Sequence, residues 1–323
     1  MSADAHAKRV AVLRGGSSLE RSVSLRSGAQ AQDALQRLGH EAVTIDADAQ
    51  LVERLRARRP DVAFIALHGR DGEDGAVQEL LEALDIPYTG SGPAACVQCT
   101  EKALAKQLMR AAGIPTPDFR ALHSTSIKAL GAGAARPDIE AALGFPLVVK
   151  PNRGGSALGV KFAHSSAELP GAIVGALSYD DKALIEHYVK GRDLAVSVLD
   201  GANPGESPLA LPVVEAIPRE ENFYSYESRY EIGMTTFVCP ADLPSESTAR
   251  AQTLALAVYE LLGCHGVARI DLMLDEDSGE LTVLETNVVP GLTETSLLPQ
   301  AADAAGIDFD ALVARILTSA WTR

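Results

Sequence analysis

The sequence predicts an α/β domain followed by two domains of mixed α+β structure. Through roughly the first hundred residues, apolar strand-like segments alternate with helix-like segments, an order typical of βαβ units and a parallel sheet. A smaller block of strands and helices follows, and from residue 192 the chain is rich in strand-like segments. With 323 residues, the chain is long enough for two domains or three small ones.

The N-terminal domain is expected over residues 1–101. Its predicted elements are strands at 9–13, 42–45, 62–67 and 86–89 and helices at 22–38 and 76–84. Loops 15–21 and 68–72 follow the first and third strands, and ligands of parallel sheets bind at the carboxyl ends of strands. Both loops are therefore candidate parts of a functional site.

The central domain is expected over residues 102–191 and the C-terminal domain over 192–323. A single helix is predicted from 94 to 112, and the proline-containing segment 114–117 after it indicates a linker. The central elements are predicted as strands at 146–150, 160–163 and 183–189 and a helix at 167–177. The C-terminal elements are strands at 194–199, 209–217, 268–274 and 281–286 and helices at 245–262 and 309–321.

The composition excludes several classes of protein. With 46% apolar and 22% charged residues, the chain is not expected to be intrinsically disordered. No apolar run approaches the ~18 residues that span a bilayer, and the N-terminus lacks the apolar core of a signal peptide, so we expect a cytoplasmic protein. The net charge of −14 disfavours duplex nucleic acid as a partner.

The four cysteines are too few for a disulfide framework in a chain of this length. Cys96 and Cys99 have the C-x-x-C spacing of a redox motif or of half a zinc site, but no second pair lies at zinc-finger distance. A buried helix is the preferred interpretation of this segment, and a metal or redox role is the alternative.

Residues 150–160 join two predicted strands through a glycine-rich loop, Lys-Pro-Asn-Arg-Gly-Gly-Ser-Ala-Leu-Gly-Val. Such a loop can bring backbone N–H groups close to phosphate oxygens, while Lys150 supplies a positive charge. The pattern is not that of a P-loop. Taken alone, the segment is equally compatible with a phosphate site and with a flexible turn.

The segments 268–274 and 281–286 predict a β-hairpin with polar residues on one face. A three-residue loop over 277–279 would place Asp271 opposite Glu285 and Arg269 opposite Asn287. Side chains two apart along a strand share a face, so we expect all four on the same side of the hairpin. The apolar residues expected on that face are Met273 and Val283.

Two acids that face each other repel, and a bound cation would remove the conflict. Oxygen ligands from Asp271, Glu285 and Asn287 suit Mg²⁺. The Pro-Gly turn that follows could present the Gly291 N–H beside the same site, where it and Arg269 could form an oxyanion hole. The alternatives are a partly exposed hairpin with chance polar pairs and an ordinary Pro-Gly turn.

The lysine, the glycine loop and the R-x-D…E-x-N strand pair together resemble the ATP-grasp superfamily. Four further segments narrow the resemblance to the D-alanine–D-alanine ligase family, and they are Gly15-Gly16-x-Ser18-x-Glu20-Arg21-x-Val23-Ser24, Leu67-His68-Gly69-x-x-Gly72-Glu73-Asp74-Gly75, Tyr88-Thr89-Gly90-Ser91 and Phe223-Tyr224-x-Tyr226-x-x-x-Tyr230. The resemblance covers nearly the whole chain. It implies a three-domain ATP-grasp fold with ATP held between the central and C-terminal domains.

The resemblance also implies a reaction. One D-alanine carboxylate attacks the γ-phosphate of ATP to give an acyl phosphate, which the amine of a second D-alanine then attacks, and the dipeptide serves peptidoglycan precursor synthesis. Two Mg²⁺ ions, which Mn²⁺ could replace, would be held by Asp271, Glu285 and Asn287. A homodimer is implied as well.

The implied nucleotide contacts are Lys102, Lys150 and Ser156 at the phosphate end, Glu186 and Val189 against the adenine, and Asp193 on the ribose. The family usually has glutamate in place of Asp193 and often a second serine in place of Ala157. Val288 replaces a common threonine, and Glu294 adds an acid near the second-substrate site.

The implied D-alanine site places Glu20 on the ammonium of the first substrate. Ser156 and Tyr230 would link Glu20 to a loop, 223–230, that closes over the site. Tyr230 favours a ligase that accepts amines over one that forms depsipeptides. The other implied contacts are His68 on substrate, Arg269 and Gly291 on the oxyanion, and Ser296, the Leu297 N–H and Arg229, an arginine in place of the usual lysine, on the second carboxylate.

Two functional alternatives stay open at this stage. Another ATP-grasp ligase would join a different carboxylate and amine through the same acyl phosphate. A catalytically silent nucleotide-binding module would have no need of the oxyanion arginine. Taken singly, Glu20, His68 and Tyr230 each also have a purely structural interpretation.

Overall fold

The computed structural model describes residues 7–203, 205–218 and 235–322. Three sheets occupy successive parts of the chain, and the predicted combination of a parallel N-terminal sheet with later α+β structure is confirmed. Among the described residues no helix is long and apolar enough to cross a membrane.

The first sheet has the strand order β2-β1-β3, and all of its strands are parallel. Its strands are β1 (Arg9–Arg14), β2 (Glu41–Asp46) and β3 (Val62–Ile65), and the helices that connect and follow them are α1 (Arg21–Arg37), α2 (Leu51–Arg58) and α3 (Ala76–Ala83). Helix α2 was not predicted. The predicted strand at 86–89 is wrong, because only Tyr88 forms an isolated bridge, with Ala63.

The helix predicted from 94 to 112 is two helices, α4 (Pro93–Thr100) and α5 (Lys102–Ala111). Glu101 between them has ψ of 83°, outside the helical range. Its carboxylate accepts a hydrogen bond from Asn152 Nδ2 at 2.6 Å, and Asn152 Oδ1 accepts one from Ala103 N at 2.9 Å. Long-range contacts therefore interrupt a segment whose local pattern is continuous. Cys96 and Cys99 are buried in α4, as the helix interpretation predicted.

The second sheet is antiparallel, with the order β4-β7-β5-β6. Its strands are β4 (Phe119–His123), β5 (Leu147–Pro151), β6 (Lys161–Ala163) and β7 (Lys182–His187). The helices of this region are α6 (Ser124–Leu130), α7 (Arg136–Leu143) and α8 (Leu169–Ala176). Strand β4 and helices α6 and α7 were not predicted from the sequence.

The third sheet has the order β11-β10-β8-β12-β13, with β9 paired to β8. Its strands are β8 (Arg192–Leu199), β9 (Leu209–Ala210), β10 (Val214–Pro218), β11 (Thr235–Val238), β12 (Val267–Leu274) and β13 (Leu281–Asn287). The single strand predicted at 209–217 is split, because Pro212 has no N–H to donate. The helices are α9 (Ser245–Leu261), α10 (Leu297–Ala304, not predicted) and α11 (Phe309–Thr318), which ends earlier than predicted in a 3₁₀ turn, Ser319–Trp321.

The first and third sheets share a hydrophobic core. Val12 of β1 and Phe64 of β3 belong to the same buried cluster as Leu298 of α10 and Ile316 of α11. Arg37 at the end of α1 pairs with Asp310 at 2.6 Å. This packing holds the loops after β1 and β3 against the segment that follows β13, and the candidate site lies at that junction.

Candidate functional site

Every described residue of the predicted site lines one or both of two adjoining cavities. The larger, of about 300 Å³, lies between the second and third sheets, and its predicted lining residues are Lys102, Lys150, Glu186, Val189, Asp193, Asp271, Glu285 and Leu297. The smaller is lined by Glu20, His68, Ser156, Arg269, Glu285, Asn287, Gly291, Ser296 and Leu297. Gly155, Glu285 and Leu297 line both, so the two cavities meet at these residues.

Two lysines project into the larger cavity from different elements. Lys102 is the first residue of α5, and Lys150 is the penultimate residue of β5. The Lys102 ammonium donates to the carbonyl oxygen of Gly154 and lies 3.5 Å from Glu285 Oε2. Two positive charges beside a glycine-rich loop form a wall suited to phosphate oxygens.

The glycine-rich loop connects the antiparallel strands β5 and β6. Gly154 has φ of 113°, a conformation that favours glycine, and Ser156 and Ala157 have φ of 55° and 56°. Positive φ at two consecutive non-glycine residues is uncommon and marks a backbone held in place by its surroundings. The loop is therefore a shaped structure, and the interpretation as a simple flexible turn is not supported.

Glu186 lies buried between two lysines. Its Oε1 is 2.6 Å from Lys106 Nζ, and its Oε2 is 2.5 Å from Lys150 Nζ. Burial opposes ionisation of Glu186, but attraction to the two ammonium groups outweighs it and lowers the carboxyl pKa. Burial also opposes the charged form of Lys106, and the pKa of this lysine is lowered to about 8 although attraction to Glu186 raises it. Lys106 also donates to Thr116 Oγ1 at 2.7 Å.

The remainder of the larger cavity is apolar. Glu186, Val189 and Asp193 of β8 line it together with several apolar side chains. A mostly apolar space with a few polar groups at its edge is suited to a planar base. The apolar side chains that line it are Val148, Phe162, Leu194, Ala195, Ala216, Met273 and Leu284.

The pairs predicted for the hairpin are confirmed, since Asp271 faces Glu285 and Arg269 faces Asn287. The register nearer the turn differs by one residue, because a bulge after Asp271 lets Leu272 pair with Val283. The predicted placement of Val283 is therefore wrong. It is fully buried in the core with Leu272, and Leu284 lines the cavity in its place.

The three candidate metal ligands each have a protein partner. Both carboxylate oxygens of Asp271 accept hydrogen bonds from Arg269, at 2.6 and 2.8 Å, and Asn287 Oδ1 accepts one from Val289 N at 3.0 Å. Glu285 lies near Lys102. Within the described ranges no group of three or more His, Cys, Asp or Glu side chains could hold a metal, so the candidate set is two carboxylates and one amide. Oxygen donors of this kind beside a wall suited to phosphate oxygens fit Mg²⁺.

Glu20 is the buried acid of the smaller cavity. Its carboxylate accepts a hydrogen bond from Ser156 Oγ, and a side chain at Gly69 would approach it to 2.5 Å. Burial, followed by repulsion from Glu73, raises the pKa of Glu20. A buried carboxylate without a fully compensating cation is a natural partner for the ammonium group of a small ligand.

His68 lines the smaller cavity, and both of its ring nitrogens have protein partners. Nδ1 lies 2.9 Å from the Val289 carbonyl oxygen, and Nε2 lies 3.0 Å from Ser27 Oγ. On the opposite wall, Ser296 Oγ accepts a hydrogen bond from Thr293 N at 3.0 Å. A β-carbon added at Gly291 would approach Ser296 Oγ to 2.5 Å, so this position requires glycine.

Comparison with known proteins places this arrangement in a family. The model described as the D-ala D-ala ligase C-terminus matches residues 108–318, and the model of the D-ala D-ala ligase N-terminus matches residues 49–91. The chain belongs to the D-alanine–D-alanine ligase family. It is 44% identical to the D-alanine–D-alanine ligase of Syntrophotalea carbinolica over 98% of this chain and 97% of that protein.

Other members of the D-alanine–D-alanine ligase family show the same similarity. The chain is 40% identical to the ligase of Pelotomaculum thermopropionicum over 96% of this chain and 95% of that protein. The crystal structure of the Bacillus anthracis ligase complexed with ATP superposes with a TM-score of 0.80 at 34% identity, covering 97% of each chain. The predicted ATP-grasp fold is confirmed by this likeness.

Some residues of the site were not predicted from the sequence, and some predicted site residues fall outside the described part of the chain. Lys106 was missed, although it follows Lys102 by one helical turn and so shares its face of α5. Ser27 and Glu73 were missed too. Arg229, Tyr230 and the loop 223–230 fall outside the described residues, so their predicted roles stay predictions.

Proposed function

We propose that this protein joins two D-alanine molecules into D-alanyl-D-alanine, using ATP to form a D-alanyl phosphate intermediate. The observation that carries the proposal is the meeting of the two cavities at Glu285. One cavity has lysines and a glycine loop suited to phosphates, and the other has a buried carboxylate suited to an amino acid. The family to which the chain belongs supports the same reaction.

In the proposed complex, ATP occupies the larger cavity. Lys102 and Lys150 contact its phosphates together with the loop that carries Ser156, while Glu186 and Val189 contact the adenine. Asp193 binds the ribose hydroxyls. The buried, ionised state of Glu186 supports this assignment, since its carboxylate can accept from the adenine amino group.

We also propose two Mg²⁺ ions, which Mn²⁺ could replace, held by Asp271, Glu285 and Asn287. Bound there, the ions would neutralise charge on the phosphoryl group. Phosphoryl transfer needs little beyond positioning and charge neutralisation, so the chain's own contribution is to align the D-alanine carboxylate with the γ-phosphate.

The first D-alanine is proposed to bind in the smaller cavity with its ammonium group on Glu20, which Ser156 orients, and beside His68. The second D-alanine attacks the acyl carbon through its neutral amine, and negative charge develops on the carbonyl oxygen. The acyl C–O bond then breaks, inorganic phosphate leaves with the surplus amine proton, and the peptide bond remains. Arg269 and the Gly291 N–H are the proposed donors to that oxygen. Ser296, the Leu297 N–H and Arg229 are proposed to hold the second carboxylate, and Tyr230 to help close the site and exclude water.

The direct test is phosphate release from Mg-ATP with and without D-alanine, with the product identified by mass. L-alanine and D-lactate serve as comparators, and the Glu20→Gln variant controls for a contaminating ligase. D-alanine-dependent release with a dipeptide product supports the proposal. A depsipeptide made with D-lactate would contradict the assignment of Tyr230, and release stimulated by none of these compounds would point to a different carboxylate and amine.

Four further features are proposed with the function. The chain divides into domains at 1–101, 102–191 and 192–323, the protein is cytoplasmic, it is a homodimer, and D-alanyl-D-alanine feeds peptidoglycan precursor synthesis. Limited proteolysis near the two boundaries tests the domain division, and light scattering of the purified protein tests the homodimer.

A further inference from the structure

The turn that carries Gly291 is held from the side of the first sheet. His68 Nδ1 lies 2.9 Å from the carbonyl oxygen of Val289, and Ser27 Oγ lies 3.2 Å from the amide nitrogen of Leu292. Ser27 Oγ is itself 3.0 Å from His68 Nε2. The two side chains therefore form one hydrogen-bonded unit that holds the turn on both sides, His68 at Val289 before Pro290 and Ser27 at Leu292 after Gly291.

The hydrogen positions follow from the partners. A carbonyl oxygen only accepts, so His68 Nδ1–H donates to Val289. In the neutral imidazole Nε2 then accepts from the Ser27 hydroxyl, and Ser27 Oγ accepts from the Leu292 N–H. Every donor in this series of hydrogen bonds therefore has an acceptor. Ser27 is 0% exposed and His68 4% exposed, so water does not readily replace either contact.

We propose that Ser27 is a positioning residue for the second step of the reaction. Through His68 and Leu292 it sets the direction of the Gly291 N–H, and hence the geometry of the oxyanion site. The inference rests on the proposed function, because it takes Gly291 as an oxyanion donor. Its physical basis is that a preorganised donor stabilises developing charge only when it is aimed at the final position of the oxygen.

The test compares Ser27→Ala with Ser27→Cys and with Ser319→Ala. Ser319 is a matched control, since it is also buried and its Oγ also bridges distant parts of the chain. It accepts from Gly90 N at 3.1 Å and donates to the Ile316 carbonyl oxygen at 2.7 Å. For each variant, the Tm, the kcat and KM of ligation, and positional isotope exchange in ¹⁸O-labelled ATP are measured. The isotope exchange reports acyl phosphate formation separately from ligation.

For Ser27→Ala we expect kcat of ligation to fall about tenfold or more, as a partial loss of an oxyanion donor predicts. Isotope exchange and the KM for ATP should stay within about twofold, because neither depends on the oxyanion site. Ser27→Cys should recover part of kcat. Ser319→Ala should lower the Tm by about as much as Ser27→Ala does, but it should not lower kcat of ligation relative to isotope exchange. An equal loss of exchange and ligation in Ser27→Ala, or kcat within twofold of wild type, would overturn the proposal.

A measurement that needs no turnover separates this inference from the proposed function. Amide hydrogen exchange at Leu292 should accelerate in Ser27→Ala and stay unchanged in Ser319→Ala, because only the first variant removes the acceptor of that N–H. Unchanged exchange at Leu292 would overturn the positioning role even in an active ligase. Accelerated amide exchange at Leu292 in a protein that does not act on D-alanine would refute the proposed function while supporting the hydrogen bond from Leu292 to Ser27.

Discussion

Ser156 of the glycine-rich loop donates a hydrogen bond to the carboxylate of Glu20, 136 residues away in the sequence. The contact joins the loop that follows β1 to the loop that connects β5 and β6. It lies where the two cavities meet, since Gly155 lines both. A ligand in either cavity therefore contacts residues that shape the other.

The raised pKa of Glu20 leads to a prediction about pH. Replacement by glutamine removes the charge that would bind the D-alanine ammonium, and the KM for D-alanine should rise about 10- to 100-fold, the usual range for a lost charge-assisted hydrogen bond. In the wild type, kcat/KM for D-alanine should fall on the acid side of a pKa above the ordinary 4.5. Initial rates at graded pH check both, and an unchanged acid limb in Glu20→Gln would contradict the assignment.

The same substitution should stabilise the free protein at neutral pH. The folded state holds the Glu20 proton more tightly than the unfolded state, so this residue's contribution to the free energy of unfolding falls as pH rises above 4.5. The Tm of Glu20→Gln should therefore exceed that of the wild type at pH 7.5, and the difference should shrink toward pH 4. Thermal unfolding measures this, and a lower Tm at pH 7.5 would count against a buried charge.

Lys106 should matter for ATP and for alkaline stability. In Lys106→Met, Glu186 keeps only Lys150, so the KM for ATP should rise about tenfold, and unfolding free energy should fall by about 3 kcal/mol, as for a broken buried pair. The contribution of Lys106 to the free energy of unfolding should rise between pH 8 and 10.5, because there the unfolded chain binds the proton that folded Lys106 has lost. Urea unfolding of the wild type and of Lys106→Met at graded pH measures this contribution as the difference between the two proteins. The corresponding difference for Lys128→Met, which replaces an exposed lysine, should not change in this way.

Arg269→Ala should separate binding from chemistry. Turnover should fall by ~100-fold or more through loss of an oxyanion donor, while the affinity for ATP changes little. Calorimetric titration with a non-hydrolysable ATP analogue and steady-state kinetics measure the two effects. Normal turnover would contradict the catalytic assignment.

Gly291→Ala should impair ligation without unfolding the protein. The new β-carbon would lie 2.5 Å from Ser296 Oγ, so either the turn or Ser296 must move, and we expect kcat to fall about tenfold or more. Gly171→Ala in α8 is the control, because nothing lies within 4 Å of its added β-carbon. The control should keep full activity and gain up to about 1 kcal/mol of stability from the better helix former. Equal kinetics of the two variants would rule out tight packing at Gly291.

Removal of divalent metal should abolish turnover, and Mg²⁺ should restore it. In Glu285→Gln the Mg²⁺ concentration for half-maximal rate should rise about tenfold, because one ligand loses its charge. Binding of Mn²⁺, followed by its electron paramagnetic resonance signal in the presence of ATP, measures the same weakening without turnover. Metal binding unaffected by the substitution would exclude Glu285 as a ligand.

The sequence by itself determined the local features of this protein. Residues two apart on a strand share a face whatever the rest of the fold does, so the order Arg269, Asp271 and Glu285, Asn287 was enough to predict one polar face on the hairpin. Alternation of apolar segments was likewise enough for the parallel first sheet. The ordered motifs then sufficed for the family.

Only the tertiary structure decided the features that depend on distant partners. Asn152 and its neighbours break the helix at Glu101, the bulge beyond Asp271 exchanges Leu284 for Val283, and packing of α5 on β7 brings Lys106 to Glu186. Each of these arises where a long-range contact outweighs a local preference, and only Lys106 has a signal in the sequence, its position one helical turn after Lys102. For the same reason, the hydrogen bonds of Ser27 and His68 to the Gly291 turn follow only from the packing of the first sheet against the third.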